Sequence, residues 1–229
     1  MRVSNILNGI LLVDKAPQST SFYLVSLLRR LTGIEKIGHA GTLDPFATGV
    51  MVMLIGKEMT RRSHEFLSSD KEYRATIQLG LTTETYDLEG AIVERSDKVP
   101  TLAEVELALS AFQGDILQTP PMYSAKKVGG KKLYDLARRG IVIERQPVLV
   151  RVAIELLQYN YPMVDIKVTC SKGTYIRSLA HDLGQGLGCG AHLFELTRTR
   201  SGCFRLEDCV PQALLKDREF DITPHLRRL

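Results

Sequence analysis

Residues 38–49 read Gly38-His39-Ala40-Gly41-Thr42-Leu43-Asp44-Pro45-Phe46-Ala47-Thr48-Gly49. One carboxylate, Asp44, stands in a stretch punctuated by three glycines. Pro45 biases the Asp44 backbone away from helix toward an extended or turn shape. The glycines let the chain bend sharply and approach a ligand closely. A lone acid on such a loop can act as a nucleophile or an electrostatic stabiliser, although Asp-Pro also makes ordinary structural turns. Read alone, His39 is a loop histidine that caps a turn.

Outward from this loop the pattern alternates between periods. Residues 50–55 form an apolar run of six, the signature of a short buried element, and residues 9–13 read as a buried strand. Residues 20–31 have helical spacing, with Ser19 or Thr20 as cap and Gly33 as stop. Residues 72–79 alternate, with Tyr73, Ala75, Ile77 and Leu79 on one face. Residues 101–112 read as a helix with a stripe of Leu102, Val105, Leu109 and Phe112. Strands are expected at 148–154 and 164–170, a helix at 174–183 and a last strand at 192–199. Strands and helices mix without a regular β-α-β order. The class expected is α+β, a mixed and largely antiparallel sheet flanked by helices.

The chain has 229 residues, enough for one large domain with a substantial core, and 30 basic against 26 acidic side chains leave a formal charge of +4. So mild a balance permits nucleic-acid binding without demanding it. Cys170, Cys189, Cys203 and Cys209 form no C-x-x-C pair. Cys189 and His192 are three apart but lack a second ligand pair, so free thiols in a reducing compartment are expected and a metal site is not. No apolar run is long enough to cross a membrane. Asn5, Asn8 and Asp14 interrupt the N-terminal apolar residues, so no secretory signal is read there and the cytoplasm is the expected location.

Three further features carry chemistry. Tyr73 begins its strand on the covered face, as a core aromatic or as a platform for a base. Cys170-Ser-Lys-Gly-Thr-Tyr-Ile-Arg177 leads from a strand through Gly173 into a helix, whose apolar stripe is Ile176, Leu179, Ala180 and Leu183. Arg177 falls off that stripe in the first turn, where a cation is unfavourable against the helix dipole, and is easiest to understand with a carboxylate partner. From Ser124 to Arg145, seven basic residues (Lys126, Lys127, Lys131, Lys132, Arg138, Arg139, Arg145) face two acids, a net of +5 that exceeds the charge of the whole chain. Around an apolar stripe of Leu133, Leu136 and Ala137, such a lobe suits contact with phosphates.

The aspartate loop resembles the active-site signature G-H-x-G-x-L-D-P-x-A-x-G of the tRNA pseudouridine-55 synthase family, of bacterial TruB type, and matches it at every fixed position. The resemblance spans residues 9 to about 202 and implies a pseudouridine synthase fold. It implies that Asp44 is the catalytic aspartate and that His39 helps to unfold and bind the RNA loop. Lys71-Glu-Tyr-Arg resembles the family's K-x-Y-R, whose tyrosine, here Tyr73, stacks on the target uracil. Thr85-Tyr-Asp87 resembles T-x-D, whose aspartate orients the basic partner of the catalytic acid. The C-S-x-G-T-Y-I-R motif makes Arg177 that partner, paired with Asp44, and Tyr175 a second uracil contact. Leu196 matches a pocket-lining leucine. Residues 121–147 resemble an RNA-clamping insertion, with Lys126, Lys131 and Lys132 as substrate contacts.

The early motif K-P-x-G-x-T-S is matched imperfectly. Here it reads Lys15-Ala-Pro-Gln-Ser-Thr-Ser21, with Lys15 retained as a substrate contact and Ala16 and Gln18 in place of proline and glycine. The segment after residue 208 is expected to supply one helix and a tail, so 1–229 is read as a single catalytic domain without the additional C-terminal RNA-binding (PUA-like) domain of many relatives. The implied activity is an isomerisation of uridine to pseudouridine in the T loop of tRNA by base flipping. No cofactor is implied, in keeping with the lack of a P-loop or dinucleotide motif; the expected partner is tRNA and the expected state a monomer. A noncatalytic RNA-binding or RNA-folding protein is the alternative of a different class. An aspartyl hydrolase or phosphotransferase would want a second carboxylate at a recognisable spacing or a metal cluster, and the sequence offers neither.

Overall fold

The computed structural model describes residues 7–124 and 126–228; the side chains of Lys127, Val128 and Lys132 also lie outside the described residues. Along the chain the elements are β1 (Gly9–Lys15), α1 (Ser21–Thr32), β2 (Ile37–His39), β3 (Thr48–Ile55), α2 (Lys57–Arg61), α3 (Ser63–Leu67) and β4 (Lys71–Leu79). There follow β5 (Leu81–Thr83), β6 (Ile92–Arg95), α4 (Leu102–Ser110), β7 (Gly114–Gln118), β8 (Lys127–Val128), β9 (Lys131–Lys132) and α5 (Leu133–Ala137). The last are β10 (Val148–Asn160), β11 (Met163–Cys170), α6 (Ile176–Leu187), β12 (Ala191–Ser201), β13 (Phe204–Arg205) and β14 (Val210–Pro211). The pairing is mainly antiparallel, as the pattern of short alternating runs predicts. Two compact units emerge, Met1–Tyr73 with Leu196–Leu229, and Arg74–Glu195.

In the first unit β3 lies between β1, antiparallel to it, and the C-terminal part of β12, parallel to it, while β2 pairs with the end of β3 and β14 with the end of β1. Val50 to Ile55 are each fully buried. That is why the run shows no alternation: both faces of β3 are covered, and a strand covered on both sides has no polar parity. One face joins Ile10 and Leu12 to Val50, Val52 and Leu54 under Met59 and Phe66. On α1 the residues Leu24, Val25, Leu27 and Leu28 are buried, and the helix packs against β2 and the turn at Gln212–Lys216. Thr20 caps it by accepting from the Tyr23 N–H at 3.1 Å, and Gly33 ends it at φ 72°.

In the second unit β11 and β10 pair antiparallel, with a bulge between Leu156 and Gln158, and β7 closes the edge on β10. On β4, which begins in the first unit and continues in the second, Lys71, Tyr73, Ala75, Ile77 and Leu79 share the buried parity. The basic segment forms a β8–β9 hairpin followed by the single turn of α5, anchored by Leu133 and Leu136. Thr101 and Glu104 make a reciprocal capping box on α4.

Four expectations need correction. Leu102 is half-exposed, so the α4 stripe reduces to Val105 and Leu109. The helix expected at 174–183 runs from Ile176 to Leu187. Gly184 does not stop it, because the chain beyond the helix folds back so tightly that a Cβ there would sit 2.1 Å from the Ala191 nitrogen. β12 is not the last strand, since β13 and β14 follow it. Residues 208–228 hold no α-helix; they carry β14 and 3-10 turns at Gln212–Lys216 and Thr223–His225, and Ile10 exchanges two 2.9 Å backbone hydrogen bonds with Arg227. Pro211 and Pro224 lack N–H groups and so cannot donate within a helix interior.

Gln18 takes φ 55°, the left-handed region, at the place where the family pattern has glycine. Its side chain is exposed, so nothing packed compensates. An L residue there costs about 1–2 kcal/mol, part of which glycine returns through its freer unfolded chain. Gln18→Gly is expected to raise stability by about 0.5 kcal/mol in urea unfolding; a loss of stability would show that the Gln18 side chain contributes to this turn.

Candidate active site

The aspartate loop belongs to the first unit and is held from two sides. Lys15, 0% exposed, donates from Nζ to the carbonyls of Ser19 at 2.6 Å, Ala16 at 3.0 Å and Pro45 at 3.0 Å. The Ser19 N–H reaches the same Pro45 carbonyl at 3.3 Å. Ser21 Oγ donates to the Leu43 carbonyl at 3.2 Å and accepts from the Leu43 N–H at 3.0 Å. The Ala47 N–H closes the turn onto the Asp44 carbonyl at 3.2 Å. Asp44 itself is half-buried. Lys15, read from the sequence as a substrate contact, is thus placed under the loop.

From the other side comes Arg198, a residue that the sequence reading passed over. It is 1% exposed; Nε donates to the Val50 carbonyl at 2.7 Å, and Nη2 to the Gly41 carbonyl at 3.2 Å, with the Met51 sulfur 3.1 Å away. A guanidinium thereby joins the middle of the loop to the first residues of β3. Its strand lies so close that a Cβ on Gly49, at φ 100°, would meet the Arg198 carbonyl oxygen at 2.3 Å. Thr48 and Thr197 Oγ1 atoms hydrogen-bond at 2.8 Å beside this contact. His39 is half-buried with its Nδ1 unpartnered among the described residues, and burial, with the nearby Arg198 charge, pushes its pKa below the usual imidazole range. Leu196 and Tyr73 are both buried, on β12 and at the start of β4.

The second unit holds Asp87 and Arg177, and the structure brings them together. Both are almost fully buried, with Arg177 Nη1 3.4 Å from Asp87 Oδ2. Arg177 also donates to the Tyr123 carbonyl at 2.7 Å and the Thr85 carbonyl at 3.2 Å. Sequence periodicity put this arginine off the buried stripe, but Ile176 to Ala180 are all buried, so the start of α6 has no solvent face. Asp87 Oδ1 accepts from the Glu89 N–H at 3.1 Å and from the Thr85 hydroxyl. Tyr175, half-buried at the N-cap of α6, exchanges two backbone bonds with the Gln118 amide, N–H to Oε1 at 2.7 Å and carbonyl from Nε2 at 3.0 Å. In the basic segment Lys126 is half-buried and Lys131 exposed, Lys132 lies outside the described side chains, and Arg138 stacks over the Tyr134 ring at 5.5 Å.

Comparison with known proteins places this architecture. The fold is that of a pseudouridine synthase: it matches a chain of a solved Cbf5–Nop10–Gar1 complex with a TM-score of 0.70 and 31% identity over 90% of this chain, and a chain of an H/ACA RNP bound to a substrate RNA containing 2'-deoxyuridine with 0.67 and 30% over 90%. The chain spans about half of each of those, 53% and 52%. Residues 29–176 match the family model for the TruB family pseudouridylate synthase N-terminal domain, and residues 177–228 that for the tRNA pseudouridylate synthase B C-terminal domain. The chain belongs to the TruB family of pseudouridylate synthases, which are isomerases. It is 61% identical to the tRNA pseudouridine synthase B of Protochlamydia amoebophila (strain UWE25), over 89% of this chain and 78% of the relative. It is 58% identical to that of Chlamydia trachomatis serovar L2 (strain ATCC VR-902B / DSM 19102 / 434/Bu), over 96% and 92%.

Arg198→Met removes the donor from two buried carbonyls and is expected to cost on the order of 2–3 kcal/mol. It also removes a cation beside His39, so the His39 titration midpoint followed by NMR rises, while those of His181 and His192, which are lowered mainly by burial, stay in place. An unmoved His39 midpoint would separate Arg198 from the loop histidine.

Proposed function

We propose that this chain isomerises the uridine at position 55, in the T loop of tRNA, with Asp44 as the essential acid. The observation that carries the reading is the bracing of the Asp44 loop by Lys15 and Arg198 in a stretch that fits the family signature at every fixed position. The names of relatives at 58–61% identity support tRNA as the substrate, and position 55 in the T loop rests on the family signature that the aspartate loop fits.

In the reaction the N1–C1′ bond breaks, the uracil turns over, C5 bonds to C1′, the C5 proton leaves and N1 takes up a proton, so uridine and pseudouridine have the same composition. The target base must first leave the stack, at a cost of a few kcal/mol that is smaller in a loop than in a duplex. His39, with its pKa lowered, enters the RNA as a neutral ring suited to filling the vacated space rather than to pairing with a phosphate. Tyr73, Leu196 and Tyr175 hold the flipped uracil. Asp44 acts at the glycosidic centre, by attack at C1′, by attack at C6 or by removing the C2′ proton, and Arg177, oriented by Asp87, favours its ionised form. Tyr73, or a water beside it, helps to take the C5 proton at the end. Water has to be kept from C1′, where it would leave an abasic site.

Residues 121–147 act as the RNA-clamping insertion, with Lys126, Lys131 and Lys132 toward the phosphates. The protein works as a monomer in the cytoplasm; none of its described helices is long and apolar enough to cross a membrane.

Tritium release from tRNA transcripts labelled at C5 of uridine tests this proposal. The wild type is expected to release label from the T loop, and Asp44→Asn to fall by at least about 10³-fold while still binding tRNA. Equal release by both proteins would remove Asp44 from the chemistry. Tight binding without release by the wild type would mean an RNA-folding protein instead.

A further inference from the structure

We propose that Tyr86 and His181 are a positioning pair for the reaction, their stacked rings holding the 85–87 turn that fixes the Arg177 guanidinium. The inference rests on Arg177 acting in the isomerisation. Tyr86 adopts φ 64°, a region that L residues seldom enter, immediately before the buried Asp87. Such a backbone persists only where its surroundings over-determine it. Here the Tyr86 N–H reaches the Thr83 carbonyl at 3.2 Å, and the Tyr86 carbonyl accepts from the Leu193 N–H at 2.9 Å. Thr83 Oγ1 donates to the Asp87 carbonyl at 2.6 Å. The reversal at Tyr86 is what turns the Asp87 carboxylate toward Arg177.

The remaining restraint is a ring contact. His181 stacks on Tyr86 with ring centroids 3.8 Å apart and planes 12° from parallel. His181 follows Arg177 by four residues on α6, so the two side chains leave the same face of the helix. One helix therefore grips one turn at adjacent points. Arg177 holds the Thr85 carbonyl and the Asp87 carboxylate, and His181 holds the ring between them. Nδ1 of His181 is buried and meets no hydrogen-bond partner among the described residues, and the contact that the ring makes with Tyr86 is through its face. Tyr86 occupies the open position of the T-x-D pattern, so the pair adds to the motif residues without being one of them.

Removing either ring frees Tyr86 to relax toward an ordinary backbone and carries Asp87 and Arg177 with it. A displacement of about 1 Å in a catalytic group can cost on the order of 10²-fold. The experiment measures kcat and KM for tritium release from T-arm RNA, together with thermal unfolding, for Tyr86→Asn, His181→Ala, Tyr86→Phe and His181→Phe. Asparagine tolerates the left-handed region but has no ring. Tyr86→Asn and His181→Ala are each expected to lower kcat by roughly 10-fold or more, with KM within about 2-fold, and the double variant to lose no more than the worse single one. Both phenylalanine variants keep the stack and keep kcat.

Wild-type kcat in the folded fraction of Tyr86→Asn and His181→Ala, whatever their melting temperatures, would overturn the proposal. So would phenylalanine variants as impaired as the ring-less ones, which would assign the effect to the hydroxyl or the imidazole nitrogen. Asp44→Asn run in parallel separates the two levels: if it is inactive while the stack variants are fully active, only the positioning pair fails. If it is active, the site reading fails and this inference with it.

Discussion

The burial of cations against main-chain carbonyls is the constraint on which the candidate site residues of each unit depend. Lys15, Arg198 and Arg177 are all nearly inaccessible, and burying a charge is costly unless its donors are satisfied. In each case peptide oxygens, all but that of Val50 on β3 from loops, supply much of that satisfaction: Ser19 and Pro45 for Lys15, Gly41 and Val50 for Arg198, Thr85 and Tyr123 for Arg177. The dependence is mutual. Loop carbonyls have no ladder to join and would themselves be orphaned without a donor. A side chain that answers several carbonyls at once fixes the loop shape in a way that backbone pairing cannot, because it reaches residues far apart in sequence.

That logic separates what could be read from the sequence from what could not. β1, the buried element at β3 and the helix α1 were legible because uninterrupted apolar runs and, for α1, the clear caps Thr20 and Gly33 leave few alternatives, whereas the short β2, β13 and β14 carry no such pattern. The parity of Tyr73 on β4 and the helix at Leu102–Ser110 were legible for the same reason. The motif residues Asp44, Tyr73 and Arg177 stood out through the resemblance of their segments to the family's motifs. Arg198 did not. It sits on a strand among threonines and another arginine, two residues from the buried Leu196 and on the same face, where a charge has no partner visible in the local sequence. The parallel pairing of β12 with β3 brings that position beside Val50 and the aspartate loop, whose carbonyls answer it, and pairing between distant segments leaves no local trace.

Arg177 was misjudged in the opposite way. Its periodicity on α6 placed it off the apolar stripe, which is true of the helix taken alone. The stripe rule assumes one covered face, whereas the first turn of α6 is enclosed on every side. A polar residue then stays inside only if it is fully answered, and Asp87, Thr85 and Tyr123 answer it. The C-terminal segment failed for a simpler reason. Its buried residues Leu215 and Ile222 are seven apart, a spacing that a helix would share, but the chain meets the core there through 3-10 turns and an edge pairing of Arg227 with Ile10.

The choice of carbonyls over carboxylates bears on the chemistry. A carboxylate that satisfies a buried cation also cancels its charge, whereas a carbonyl satisfies the donors and leaves the charge in place. Arg198 is answered by two peptide oxygens and a thioether, so its positive field persists under the aspartate loop and reaches His39, whose pKa is lowered first by burial and further by this charge. An enzyme working on a polyanion at a developing negative centre gains from such retained charge, and in a site screened from water the field is stronger than it would be at the surface. Arg177 is the mixed case. Asp87 balances its charge while two carbonyls set its direction, which suits a group that has to be aimed as well as charged. A guanidinium with planar, directional donors is better fixed by this arrangement than a lysine ammonium would be, and the strained turn at Tyr86 is consistent with orientation being the property that this part of the fold maintains.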